Sequence, residues 1–134
     1  MSPGLSVQQA ARTTLLGRSS LTSLLGGAHI FDEVPRGANP PFVVISGVET
    51  RDWSVVGEKA HEHFITIEVM TNARSRALAQ NISAEIELGL DNAVLSLTDH
   101  KLVNLRHIFS NVTRSISTSN YGALLRFRAA TEPL

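Results

Sequence analysis

Hydrophobic residues recur at helical spacing in two long segments of the chain and one short segment between them. Spacings of three and four residues indicate amphipathic helices, because residues so spaced project from one side of a helix. Capping residues precede both long segments, Ser2 or Ser6 before the first and Asn72 or Ser75 before the second. The apolar positions of the three segments are Val7, Ala11 and Leu15, then Leu21, Leu24 and Leu25, then Leu78, Ile82, Ile86 and Leu90.

Other segments show the alternation of apolar and polar residues that is typical of β-strands. Phe42–Ile45 is apolar throughout and lies between prolines and Gly47, which predicts a strand buried on both faces. The predicted strands are 28–31, 42–45, 61–69, 103–109 and 125–129, and we expect Val103, Leu105, His107 and Phe109 to share one face of the fourth.

This order of elements predicts an α+β fold in a single domain, residues 1–134. We expect a mainly antiparallel four-to-five-stranded sheet with two main helices packed on one face. The last two strands should form a hairpin through the polar turn 115–120, and the proline-rich segment 32–41 should be a loop. The sheet face away from the helices would then face solvent, a lumen or a neighbouring subunit.

The amino-acid composition excludes several classes of function. Hydrophobic residues make up 43% of the chain and charged residues 18%, as in a globular protein. The absence of cysteine excludes disulfides, thiolate zinc sites and cysteine nucleophiles. No stretch approaches the roughly 20 apolar residues that cross a bilayer, so we expect synthesis in the cytoplasm and no membrane partner.

Charge is balanced in total but not in its distribution. Twelve basic and twelve acidic residues cancel, which does not favour a nucleic-acid or membrane-surface protein. Acidic residues outnumber basic ones from Glu49 to Asp91, whereas His100–Thr131 contains basic residues and no Asp or Glu. The asymmetry is either incidental to two solvated surfaces or a sign of complementary contact between identical neighbours.

The chain contains few residues that could form a catalytic, metal or phosphate site. It has no glycine-rich phosphate loop and no nucleophile elbow. His61 and His63 would project from the same side of a strand and could share a metal ion, although no third ligand is evident. Arg126 and Arg128 likewise share one side of a strand and could contact phosphate, although no interleaved aromatic residue is evident to stack a base. A small metal-dependent enzyme and a single-stranded nucleic-acid-binding module therefore stay as alternatives.

One pattern of segments covers nearly the whole chain. Its segments are the helix end at Leu24–Gly26, Ile30–Pro35, Pro40–Ile45, Asp52–Ser54, Val69–Thr71, the helix rich in alanine and isoleucine, Leu102–Leu105 and Gly122–Arg128. Taken together, these segments resemble the tail terminator, or tail-completion, family of long-tailed phages and gene transfer agents. The pattern departs from the family at Met70–Thr71, where members often carry an aromatic residue.

The resemblance implies a structural virion protein that forms a hexameric ring, closes the end of the tail tube and joins it to the head. The implied partners are further copies of the chain, the tail tube protein and a head-side connector or stopper protein. DNA would pass through the lumen without specific binding. The family implies no catalytic residue, no cofactor and no metal, and its members are assembled into the tail of a particle.

A contact surface is the remaining site that the sequence can predict. The segment 48–60 has no clear periodicity and holds the only tryptophan, a residue that often anchors interfaces, so we expect it to be an arm that reaches a neighbour or the tube. A tryptophan that covers the core of its own domain is the competing interpretation. The predicted interface residues are Asp52, Trp53, Val55, Val56, Lys59, Arg114, Arg126 and Arg128.

Overall fold

The computed structural model of the chain describes residues 1–134 and confirms the α+β class, with three helices and five strands. None of the three helices is both long and apolar enough to cross a membrane. In chain order the elements are α1 Pro3–Leu16, α2 Ser19–Leu25, β1 Ile30–Phe31, β2 Phe42–Asp52, β3 His61–Met70, α3 Arg76–Leu90, β4 His100–Arg114 and β5 Tyr121–Pro133.

The helices begin and end where local chemistry favours it. The Ser2 hydroxyl accepts a hydrogen bond from the Leu5 amide at the start of α1, and the Ser75 hydroxyl accepts one from Ala77 at the start of α3. Helix α2 ends at Gly26, whose left-handed φ of 76° is open to glycine at little cost. Of the alternative caps considered from the sequence, Ser2 and Ser75 are the ones used.

The five strands form one sheet in the order β1-β2-β3-β5-β4. All neighbouring pairs are antiparallel except β1 and β2, which are parallel. The predicted hairpin is present as β4 and β5. Val43, Val44 and Ile45 are all buried, which confirms a strand covered on both faces.

Strand β2 is longer than the strand 42–45 that was predicted from the sequence. It continues to Asp52, paired with β3, so the expected arm 48–60 is reduced to the hairpin tip 53–60. A register shift between Ile45 and Gly47 explains the error. An extra residue in one strand moves the following side chains to the opposite face, which hides the two-residue period in the sequence.

The predicted face of β4 is also wrong in part. Register shifts fall between Leu102 and Asn104 and between His107 and Phe109. Leu105 and half-buried His107 still face the helices, but Phe109 pairs with Arg126 on the opposite face. Val103 falls within the first shift and is 48% exposed. The two bulges therefore leave apolar side chains on the surface of this strand.

Helices α1 and α3 pack against one face of the sheet, here named the helix face, and α2 packs against α1 and α3. A single cluster of 20 buried residues joins the helices to the strands, with Phe127 among its largest fully buried side chains. Ile82 and Ile86 of α3 are fully buried as predicted, whereas Leu78 is only partly buried at the cluster's edge.

Glu85 of α3 forms polar contacts with residues at the start of α2. Its carboxylate accepts hydrogen bonds from Arg18 Nη2 and Ser20 Oγ, both at 2.7 Å. The bonds from Ser20 and Arg18 lower the pKa of Glu85. The contact ties the start of α2 to the middle of α3.

Candidate interface: the open sheet face and its two ends

The sheet face opposite the helices, here named the open face, is not covered by any helix of the chain. Its polar side chains pair with one another across strands. Arg128 Nε donates to Glu62 Oε2 at 2.7 Å, and Arg128 Nη1 donates to Asn104 at 3.4 Å. The three residues come from β5, β3 and β4, so the pairs link the three strands.

A second cluster on the open face surrounds Phe64 of β3. The guanidinium groups of Arg51 and Arg126 lie 5.3 and 5.5 Å from the centre of its ring. Glu49 lies between them, 3.7 Å from Arg51 and 3.9 Å from Arg126. Arg126 Nε is buried without a hydrogen-bond partner. The two arginines of this cluster thus share the one carboxylate of Glu49, which offsets only part of their positive charge.

The hairpin tip between β2 and β3, residues 53–60, projects beyond the end of the sheet. Trp53 at its base is 46% exposed, and Arg128 lies 4.8 Å from the centre of its ring. Trp53 therefore lies on the open face and not in the core. Hydrogen bonds from Ser54 shape the base of the tip and lower the pKa of Asp52.

The outer end of this β2–β3 tip is apolar and uncovered. Val55 and Glu58 pair as an isolated bridge, and Val55 is 65% exposed. Val56 beside it is fully exposed. Lys59 follows and forms no ion pair within the chain. A solvated turn gains nothing from two adjacent valines, so the tip has the composition of a contact surface.

A groove of about 650 Å³ lies at the opposite end of the open face and is here named the basal groove. Phe42, Met70 and Leu124 line it from the strands. The proline-rich loop lines one side of it, and the turn between β4 and β5 lines another. Arg114, the last residue of β4, lies at this end and pairs with Tyr121 of the groove.

All but one of the predicted interface residues thus fall into two groups, and Arg126 lies between the groups, opposite Thr66 in the middle of β3. Asp52, Trp53 and the rest of the β2–β3 tip lie at one end of the sheet, with Arg128 near them. Arg114 lies at the other end, about 30 Å away along the strands at ~3.3 Å per residue. No contact within one chain can join the two groups.

Of the two histidines considered as metal ligands, His63 has other partners. His63 is fully buried on the helix face, and its ring nitrogens form hydrogen bonds with Thr50 Oγ1 at 2.9 Å and Thr131 Oγ1 at 2.8 Å. Burial, with smaller contributions from His61 and His100, lowers the pKa of His63 to about 4. No group of three or more His, Asp or Glu side chains is placed to hold a metal ion. His63 therefore joins β2, β3 and β5 and leaves no free nitrogen for a ligand role.

The nucleic-acid hypothesis needs a correction. The sequence indicated no aromatic residue beside Arg126 and Arg128 that could stack a base, but the structure places Phe64 and Trp53 beside them. Both aromatic residues come from the neighbouring hairpin, so only the strand register reveals the contact. The sequence alone could have identified Phe64 as an open-face residue, because its neighbours on that face of β3 are polar. The arginines remain paired with Glu49 and Glu62, which reduces their availability to phosphate.

Two comparisons with known proteins each found a match. A family model described as tail completion protein gp17 matches residues 9–132. A chain in the structure titled virion of native gene transfer agent (GTA) particle superposes with a TM-score of 0.89 at 25% sequence identity, covering 98% of this chain and 99% of that chain. No curated protein matches the chain.

Proposed function

The chain belongs to the tail completion protein gp17 family, and from this premise we propose that it is the tail terminator of a phage or gene-transfer-agent particle. In this role it forms a hexameric ring on the end of the tail tube, stops tube growth and receives the head-side connector or stopper protein. The family match over nearly the whole chain carries the proposal. The similar fold of a chain in a gene-transfer-agent virion supports it.

The role is structural and needs no catalytic residue, cofactor or metal. The charges of the open face support it, because Arg126 and Arg128 each have a carboxylate within 4 Å. An arginine that already has a carboxylate partner releases fewer counterions on contact with DNA, so it binds phosphates more weakly. The DNA then passes through the ring without specific binding.

Ring formation is supported by the asymmetry of the surface. A cyclic ring requires two different patches on each subunit, one that contacts the preceding copy and one that contacts the following copy. The β2–β3 tip and the basal groove are two such patches, and they lie at opposite ends of the open face. We propose that the predicted interface residues Asp52, Trp53, Val55, Val56 and Lys59 of the tip, Arg128 beside the tip and Arg114 beside the groove take part in these contacts. Arg126 lies between the two patches, opposite Thr66 of β3.

The test is the morphology of particles made without this chain. We expect overlong tails, headless tails or both, and restoration of normal particles when the wild-type chain is supplied in trans. A complementing chain with a disrupted core, such as Ile82→Ala, serves as the control for loss through unfolding. Tails of normal length joined to filled heads in the absence of the chain would refute the terminator role.

A further inference from the structure

Two uncovered apolar features of the chain have matching shapes. The β2–β3 tip is a projection that ends in Val55 and Val56, which contact no part of the core. The basal groove is a recess of about 650 Å³ in which Met70 is 40% exposed. Burial of both would remove apolar surface from water, and the recess is large enough to admit the tip of a hairpin.

The charged residues beside the two features are also complementary. Glu58 and Lys59 flank the valines of the tip, and none of the ion pairs within the chain includes either. Glu68 lines the groove and Arg114 adjoins it, and these two residues are also without ion-pair partners. Each patch thus offers one acid and one base to the other. Complementary charges at an interface fix its register and disfavour wrong partners.

The two features cannot meet within one chain, since the length of the sheet, about 30 Å, separates them. We propose that the β2–β3 tip of one copy docks into the basal groove of the next copy, with Val55 and Val56 over Phe42, Met70 and Leu124. Lys59 then faces Glu68 of the second copy, and Glu58 faces Arg114. Such a contact is heterologous, so it closes into a ring if the rotation between copies is suitable. The inference rests on the proposed function for the ring and adds the surfaces that hold it together.

Site-directed disulfide formation tests the contact directly, because the natural chain has no cysteine. Val56→Cys and Met70→Cys are made as separate chains, mixed and oxidised mildly. A disulfide requires Cα atoms within about 7 Å, so the two sulfurs can join only if tip and groove are docked. We expect mixed dimers to form ~10²-fold faster than for Val56→Cys mixed with Val94→Cys, because docking raises the effective concentration to the millimolar range. Val94 is almost fully exposed and lies beside Leu102–Leu105 of β4, not among the residues that line the basal groove, which makes it the matched control.

The double variant Val56→Cys with Met70→Cys should give a ladder of linked copies that ends at the size of the ring. Charge exchange gives a second, independent measurement. Lys59→Glu and Glu68→Lys should each weaken self-association, and the two together should restore it. Circular dichroism of the single variants checks that each chain is folded.

The outcomes separate this inference from the proposed function. Rings by native mass spectrometry with no excess of Val56–Met70 disulfide over the control would overturn the inference and leave the terminator role standing. Linkage of Val56→Cys to the tube protein, with no linkage to Met70→Cys, would equally overturn it in favour of the tube as the occupant. Normal particles without the chain would refute the terminator role whatever the disulfides show.

Discussion

The two faces of the sheet use the same strands for different purposes. On the helix face the side chains of β3 and β5 are buried and, apart from His63 and Thr131, apolar, and the helices cover them. On the open face the alternate side chains of the same strands include Glu62, Phe64, Arg126 and Arg128, which contact one another across the strands. Hydrophobic burial is non-directional and stabilises the fold, whereas paired charges and half-exposed aromatic residues contribute little stability but much specificity. The helix face should therefore determine whether the chain folds, and the open face and its two ends what the folded chain contacts.

Phe127 and Phe109 provide the strongest test of this difference, because they are the same residue type on opposite faces of neighbouring strands. Phe127 is fully buried and Phe109 is 43% exposed. We expect Phe127→Ala to cost about 3–5 kcal/mol of unfolding free energy through the cavity that it leaves, and Phe109→Ala less than about 1 kcal/mol. Urea unfolding followed by circular dichroism measures both. Equal losses at the two positions would mean that the faces are not divided in this way.

Ile82 extends the same comparison to the covering helix. It is fully buried in α3, whereas Leu88 of the same helix is 70% exposed. Ile82→Ala should cost about 2–5 kcal/mol, and Leu88→Ala about 0.5 kcal/mol or less. Thermal unfolding of the two variants gives the comparison, and near-wild-type stability of Ile82→Ala would show that α3 packs through another side.

His63 is the one titratable residue that is fully buried on the helix face. Its pKa is about 4 in the folded chain and 6.5 for a free side chain, so the unfolded chain binds the proton more tightly. The stabilisation is fully present above pH 6.5 and is lost as the pH falls toward 4, by about 2–3 kcal/mol.

Urea midpoints measured across that pH range test the effect, with His63→Gln as the control that keeps hydrogen-bonding capacity but does not titrate. The wild-type chain should lose more stability on acidification than the variant. Parallel pH profiles for the two chains would mean that His63 is not the group responsible.

The open face should respond more weakly even at its best-formed ion pair. Arg128 and Glu62 are 2.7 Å apart and their side chains are 25% and 20% exposed. A double-mutant cycle with Arg128→Ala and Glu62→Ala should give a coupling energy of about 1 kcal/mol or less. A coupling of several kcal/mol would indicate that the open face contributes to folding as the helix face does.

The sequence was informative where one period is maintained along an element. The four-residue spacing of Val7, Ala11 and Leu15 and the alternation in β3 predicted buried faces that the structure confirms. It was uninformative where a bulge interrupts the period, as after Ile45 and at Ile108. A bulge is decided by pairing with another strand, so its position is not encoded in the local alternation.

The positions and contacts of the proposed interface residues were predictable to a similar extent. Arg126 and Arg128 share one face of β5, which the two-residue period requires. Their contacts with Phe64 and Trp53 depend on the register between β3 and β5, a long-range property. The separation of Arg114 from them follows from the hairpin itself, because Arg114 directly precedes the turn, whereas the other two arginines lie well beyond it.

Trp53 should show a small effect on stability and the clearest effect on assembly. Its ring lies over Arg128 on the open face at the base of the β2–β3 tip, and 46% of the residue is exposed. Trp53→Ala removes a cation–π contact of about 0.5–1 kcal/mol at a partly exposed site, so the melting temperature of the isolated chain should barely change. Assembly should fail, because the indole group of Trp53 supports the β2–β3 tip that makes the proposed contact. Aromatic residues also contribute much of the binding energy of interfaces. Mass measurement of the assembled state beside thermal unfolding of the subunit separates the two effects, with Trp53→Phe as the variant expected to retain assembly. A subunit destabilised by several kcal/mol would instead place Trp53 with the residues of the helix face that hold the fold together.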